Sequence, residues 1–149
     1  MIQRKQTVFL FLAAVFGLLA LCMQLATVSV EGLPVYRIFS LWAKGPSGTT
    51  FVPCPLFILM LLSTTLSVCT IFIYSRRLLQ ARLCMVNIFI MILWYVAMIA
   101  VSKQLAPDAM NFRLEITSAF PAVVAILNMM ARKGVLADEK LVRAADRIR

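Results

Sequence analysis

Few residues in this chain of 149 are of the kinds that do chemistry. Catalysis usually starts from a nucleophile beside a base, a pair of carboxylates or a metal. There is no histidine, and Cys22, Cys54, Cys69 and Cys84 form no C-x-x-C pair, so a zinc site lacks its ligands. No Asp, Glu, Lys or Arg lies deep in an apolar run. Such intramembrane charges mark proton relays and ion paths, and their lack weakens the case for a pump while leaving a passive pore open. No catalytic, cofactor-binding or metal-binding residue is assigned. The polar residues that stand out are Asn87, about one turn past Arg82, and Asn128, one turn before Arg132. They are candidates for an interhelical polar pair at one depth, worth about 1 kcal/mol as glue between helices. The sharper reading is a polar pocket with Thr70 and Thr7 nearby; glue is preferred.

These residues must be positioned by elements built for lipid. Apolar residues make up 62% of the chain and charged residues 14%, with a mean hydropathy of +0.93. A soluble domain carries roughly a quarter charged residues, and one of this size could not hide so much apolar surface. The net charge of +9 comes in short clusters between apolar runs, without interleaved aromatics. That pattern suits membrane threading rather than nucleic acid.

Four spans are expected, at about 7–30, 51–75, 83–102 and 110–131, with an external loop at 31–50 and a cytoplasmic tail at 132–149. The first run is too long for a cleaved signal peptide, and Ala26-Thr27-Val28 is a poor cleavage site. Ala13 and Gly17 would let another helix approach closely. Within the loop, Gly45-Pro46-Ser47-Gly48 signals a turn. Val35–Trp42 and Thr49–Val52 could pair across it, or form an interfacial helical turn. Ser63, Thr64, Thr65, Ser67 and Thr70 in the second span are read first as packing residues whose hydroxyls bond back to the helix. The last apolar run is short, so its helix is expected to begin near Ala109, with a kink at Pro121.

Threaded this way, one side receives Arg4, Lys5, Arg76, Arg77, Arg82, Arg132, Lys133, Lys140, Arg143, Arg147 and Arg149. The other receives Arg37, Lys44, Lys103 and Arg113. The richer side is the cytoplasm, which holds both termini. The tail VLADEKLVRAADRIR reads as a separate short amphipathic helix. Asp138 caps it, Leu141, Ala145 and Ile148 form its stripe, and Glu139 pairs with Arg143. The fold class is thus all-α: an antiparallel bundle of four transmembrane helices, N-in and C-in, plus that helix.

Three stretches, IQRKQTVFLFLAA, YSRRLLQARLCMVNI and PAVVAILNMMARKGVLADEKLVRAADRIR, resemble the domain of unknown function 4293 family, small four-span membrane proteins of Bacteroidetes-type bacteria. The resemblance covers nearly the whole chain, and DEKLVRAADRIR is its most specific part. The family pattern often has serine where this chain has Ala144, so no essential role falls on a hydroxyl there. The resemblance implies a bacterial inner-membrane, multi-pass protein and brings no activity or site residues. All three stretches fall on the expected cytoplasmic side. The tail is therefore expected to fold back on that face. The expected docking surface comprises Arg4, Arg76, Arg77, Arg82, Asp138, Glu139, Arg143, Asp146 and Arg147, with the acids meeting basic partners.

The leading function is a non-enzymatic scaffold or accessory subunit acting through the cytoplasmic face. The alternative is a small oligomeric transporter or channel lined by the second span. An intramembrane enzyme ranks last. The partners expected are the lipid bilayer and either another protein or further copies of the chain; no cofactor and no nucleic acid is expected.

Overall fold

In the computed structural model, the uncharged stretch after Gln6 divides into two elements. Helix α1, Gln3–Cys22, is rich in Leu, Ala and Phe. Strand β1, Gln24–Val30, holds Thr27, Val28 and Val30, whose branched β-carbons favour extended backbone. The expected span of 7–30 is therefore too long by its last third. Freedom from charge was its only signal, and β1 is uncharged as well. The structure describes residues 3–30, 33–46, 48–73, 76–105 and 111–146; the side chains of 3–5, 30, 33–35, 111–112 and 145–146 are left aside.

The chain continues through β2 (Leu33–Phe39), β3 (Ala43–Gly45) and β4 (Gly48–Thr50) into α2 (Cys54–Phe72) and α3 (Arg77–Leu105). It closes with β5 (Asn111–Leu114), a 3-10 turn (Ile116–Ala119) and α4 (Phe120–Asp146). The strands form one antiparallel sheet in the order β4-β3-β2-β1-β5. The protein is therefore mostly helical with a small sheet, not all-α. The β3–β4 hairpin turns where the glycines suggested, with Gly45 opposite Gly48 and Gly48 at a φ of +113°. Its arms differ from the expected ones: Val35–Trp42 is broken by a bend at residues 40–41, so Ala43–Gly45 pairs with β4 instead.

Two further expectations change. Residues 111–114 are a strand against β1, so the fourth helix begins at Phe120 rather than near Ala109. Pro121 then sits in its first turn, where a missing N–H breaks no helical bond, and the reason for a kink disappears. The tail is not a separate helix either. The α4 helix runs unbroken through Gly134 to Asp146, so Asp138 lies within it and caps nothing. Gly134 is where the Gln6 side chain crosses: a Cβ there would stand 3.0 Å from its Cγ.

Among the described residues, three helical segments are long and apolar enough to cross a membrane, Cys54–Phe72, Arg77–Leu105 and Ile116–Ala144; the apolar part of α1, Gln6–Cys22, is shorter. The helices pack in cyclic order, α1 on α2 and α4, and α3 on α2 and α4. Their inward residues alternate spacings of four and three. In α1 they are Gln6, Leu10, Ala13, Gly17 and Ala20; in α2, Leu56, Met60, Ser63, Ser67 and Thr70. The α3 helix carries the pattern from Gln80 through Cys84, Asn87, Met91, Trp94 and Met98 to Val101, and α4 from Val124 through Asn128, Ala131 and Val135 to Asp138. This alternation keeps one seam in contact along nearly aligned helices. At one end of the seam the sheet closes the core, with Leu25, Ala26, Val28, Ile38 and Ala43 against the helices.

Candidate functional site

Antiparallel packing brings the seam positions of different helices to common levels. At the level of Asn87 the seam is polar. The Asn87 Nδ2 group donates to Ser67 Oγ at 2.7 Å, to the Ser63 carbonyl at 3.3 Å and to Asn128 Oδ1 at 3.4 Å. Ser63 Oγ donates in return to Asn87 Oδ1. Asn128 Nδ2 donates to the Val124 carbonyl of its own helix at 2.9 Å. The amide of Asn87 thus ties α2, α3 and α4 together, and all four side chains are buried. In an apolar interior each polar atom needs such a partner, because water is not there to supply one.

A second polar level lies nearer the start of α1. Gln80 Nε2 donates to the Thr70 carbonyl at 3.3 Å, and Thr70 Oγ1 donates to the Leu66 carbonyl at 2.6 Å. Gln6 Nε2 donates to Asp138 Oδ2 at 2.6 Å, which joins the start of α1 to the end of α4. Leu10, Cys84 and Ala131 pack together between the two polar levels. Thr70 therefore serves a different level from the asparagines, and Thr7 lies on the exposed face of α1.

On the same end, α3 begins beside the end of α4. There Arg76, Arg77 and Arg82 line a groove of about 610 Å3 with Leu78, Leu79, Glu139 and Val142. Glu139 is held by Arg143 of its own helix, Oε1 to Nε, at 3.0 Å. Among the described residues, Arg76, Arg77 and Arg82 have no carboxylate partner. Of the expected docking surface, Arg76, Arg77, Arg82 and Glu139 share this groove, and Arg143 reaches it through Glu139. Asp138 turns inward to Gln6 and has no cation partner among the described residues, because it falls on the buried stripe of a continuous α4. The side chains of Arg4 and Asp146, and all of Arg147, lie outside the described residues.

The opposite end is tied by different residues. The Tyr95 hydroxyl donates to the Ser118 carbonyl at 2.8 Å and accepts from the Ala122 N–H at 3.1 Å. It so satisfies a first-turn amide that α4 itself leaves unpaired. Thr27 Oγ1 donates to Glu115 Oε1 at 3.2 Å, and the Glu115 N–H donates to the Leu25 carbonyl at 3.1 Å. The cysteines are free thiols, two of them exposed.

The polar seam and the basic groove join segments from both ends of the chain, and the same extent is covered by a family model. The model for the domain of unknown function DUF4293 matches residues 2–148. The chain belongs to this DUF4293 family. No curated protein matches it. Gln6 and Gln80 are the site residues that sequence reasoning passed over; Ser63 and Ser67, read as packing residues that bond back to their own helix, instead bond to Asn87 of α3. Their signal was present: each stands three or four residues from another small or polar residue on one helical face, as in Ser63-Ser67-Thr70.

Proposed function

We propose that this DUF4293 protein is a four-span inner-membrane protein with both termini in the cytoplasm, working as a non-enzymatic scaffold or accessory subunit through its basic groove. The observation that carries this reading is the groove itself. It places three guanidinium groups, without a carboxylate partner among the described residues, against the end of α4 at the rim of an apolar helical ring. The α1 helix supplies the fourth span: its 20 residues reach about 30 Å, the thickness of a bilayer core. Its outward side chains Val8, Phe11, Leu18 and Leu19 are exposed hydrophobics that lipid would cover. Orientation rests on charge. Arg37, Lys44, Lys103 and Arg113 belong to the sheet end, and Arg76, Arg77, Arg82, Arg132, Lys133, Lys140 and Arg143 to the other.

The alternative was a pore between copies lined by the hydroxyls of α2. Ser63, Thr64, Ser67 and Thr70 face the protein's own interior; Thr65 is exposed with its hydroxyl bonded back to the Leu61 and Leu62 carbonyls, and α2 presents Ile58, Leu61, Leu62 and Phe72 outward. Within one copy, the Leu10, Cys84 and Ala131 layer interrupts the polar levels. Both observations favour the scaffold over the channel.

Two experiments test the reading. In a cysteine-free background, Lys44→Cys should react with an impermeant maleimide on intact bacterial cells, and Lys140→Cys only after permeabilisation. The reverse pattern would refute the orientation. Affinity purification from native membranes should then yield a discrete assembly that is lost when Arg76, Arg77 and Arg82 are changed to Gln. Solute or ion flux through liposomes carrying the pure protein would favour the channel instead.

A further inference from the structure

The groove between the start of α3 and the end of α4 combines cations with apolar walls. Arg76, Arg77 and Arg82 supply the charge; Leu78, Leu79 and Val142 supply the walls. Glu139, the one acid of the lining among the described residues, is already engaged by Arg143 at 3.0 Å. The groove therefore carries surplus positive charge in guanidinium form, whose planar fork matches the oxygens of a phosphate. From the groove, α3 runs on into the apolar ring with Met85, Val86 and Phe89 exposed on its surface. A molecule with phosphate at one end and hydrocarbon at the other would meet both features in order.

We propose that this groove binds the headgroup of an anionic phospholipid of the cytoplasmic leaflet, with preference for a headgroup bearing two phosphates. The inference rests on the membrane placement given above and names the chemistry of the groove's occupant. One phosphodiester would leave cationic charge uncompensated among three guanidiniums, and a volume of about 610 Å3 holds more than one phosphate group. An acidic peptide would satisfy the arginines but not the leucines, which stand where α3 enters the apolar ring. Basic pockets at the cytoplasmic ends of membrane helices take headgroups on these physical grounds, each cation adding attraction to anionic lipid.

The full chain in detergent micelles can be offered diphosphatidylglycerol, phosphatidylglycerol or phosphatidylcholine and the bound lipid measured by native mass spectrometry. Retention should fall in that order. Changing Arg76, Arg77 and Arg82 together to Gln should weaken retention of diphosphatidylglycerol by roughly a hundredfold, and each single change by roughly fivefold. The single variants keep most of the threading charge, so they remain informative if the triple variant fails to insert. Arg132→Gln and Lys140→Gln, outside the groove, should bind like the parent. Equal retention of phosphatidylcholine, or groove variants that bind like the parent, would overturn the proposal. So would displacement of the lipid by inorganic pyrophosphate, which would mark a site for free phosphate, or by an oligoglutamate peptide, which would mark a protein-docking site. Micelles have no sides, so a reversed labelling pattern would refute the orientation and leave this measurement standing. A failed lipid assay would leave the labelling and assembly tests untouched.

Discussion

Where α1 begins and α4 ends, the inward seam sets Gln6, Ser63, Ser67, Thr70, Gln80, Asn87, Asn128 and Asp138, each with a hydrogen-bond partner, around the apolar Leu10, Cys84, Ala131 and Val135. Toward the sheet it becomes Ala13, Ala20, Leu56, Met60, Met91, Trp94, Met98 and Val124. The buried side-chain polar atoms left without a partner among the described residues are Ser40 Oγ, Thr50 Oγ1 and Trp94 Nε1, outside that polar stretch. One half is thus held by matched hydrogen bonds and the other by shape and by β-sheet pairing. The difference follows from the medium. In the proposed membrane placement, apolar residues gain nothing from leaving the surroundings for the interior, so helices must associate through packing and polar contacts. At the sheet end, backbone ladders between strands join segments that the helices leave apart, and the polar side chains there matter less.

The comparison makes ordered predictions. Trp94→Ala in the apolar half should cost most, about 3 kcal/mol, since it opens a large cavity where the side chain is fully buried. Trp94→Phe should cost far less, because the indole N–H it removes has no partner. Asn87→Leu in the polar half should cost about 2 kcal/mol, since Ser63, Ser67 and Asn128 each lose a partner. Unfolding of the purified protein in mixed micelles measures both. If Asn87→Leu proves neutral, the two halves are not held differently.

Gly17→Ala should cost about 1–2 kcal/mol by forcing apart α1 and α2, because a Cβ would stand 2.5 Å from Thr64 Oγ1. Thr64 Oγ1 only bonds back to the Met60 carbonyl of its own helix, so Thr64→Ala alone should be nearly silent. Adding Thr64→Ala to Gly17→Ala should recover most of the loss, a coupling that a double-mutant cycle reads directly. Gln6→Ala should cost about 1 kcal/mol and loosen the end of α4, read as faster amide exchange after Gly134. The smallest effect belongs to Arg143→Ala. Its ion pair with Glu139 is 65% exposed on the arginine side and should contribute about 0.3 kcal/mol, lost in high salt.

Much of the helical framework was legible because lipid imposes long uncharged runs. The second and third spans, expected at 51–75 and 83–102, correspond to α2 and to the middle of α3. The first and last runs misled for one shared reason. Val28 and Val30 in β1 and Phe112 and Leu114 in β5 are as apolar as the helices beside them, so hydropathy does not mark where helix gives way to strand. The seam was hidden too, since α1 to α3 are apolar on their outer faces as well as within and show little amphipathic contrast. Only its polar members broke the surface of the pattern. Similar spacing from Arg82 and Arg132, about one helical turn each, pointed to Asn87 and Asn128, and the structure sets their amides 3.4 Å apart. Gln6 and Asp138 gave no such pointer: one sat among basic residues at the start, the other in a stretch read as a detached tail.

What the sequence determined by itself is the apolar character and the charge asymmetry: long runs without ionisable groups, and basic residues gathered in a few clusters. These follow from desolvation, which acts on each residue wherever its neighbours lie. Tertiary structure decided which polar groups meet. Gln6 found Asp138 only because α4 continues past Gly134, and three arginines came to share one groove with Glu139 only because α3 begins beside the end of α4. Hydrogen bonds and charge clusters depend on geometry across helices, and no local pattern of residues encodes the level at which one helix passes another.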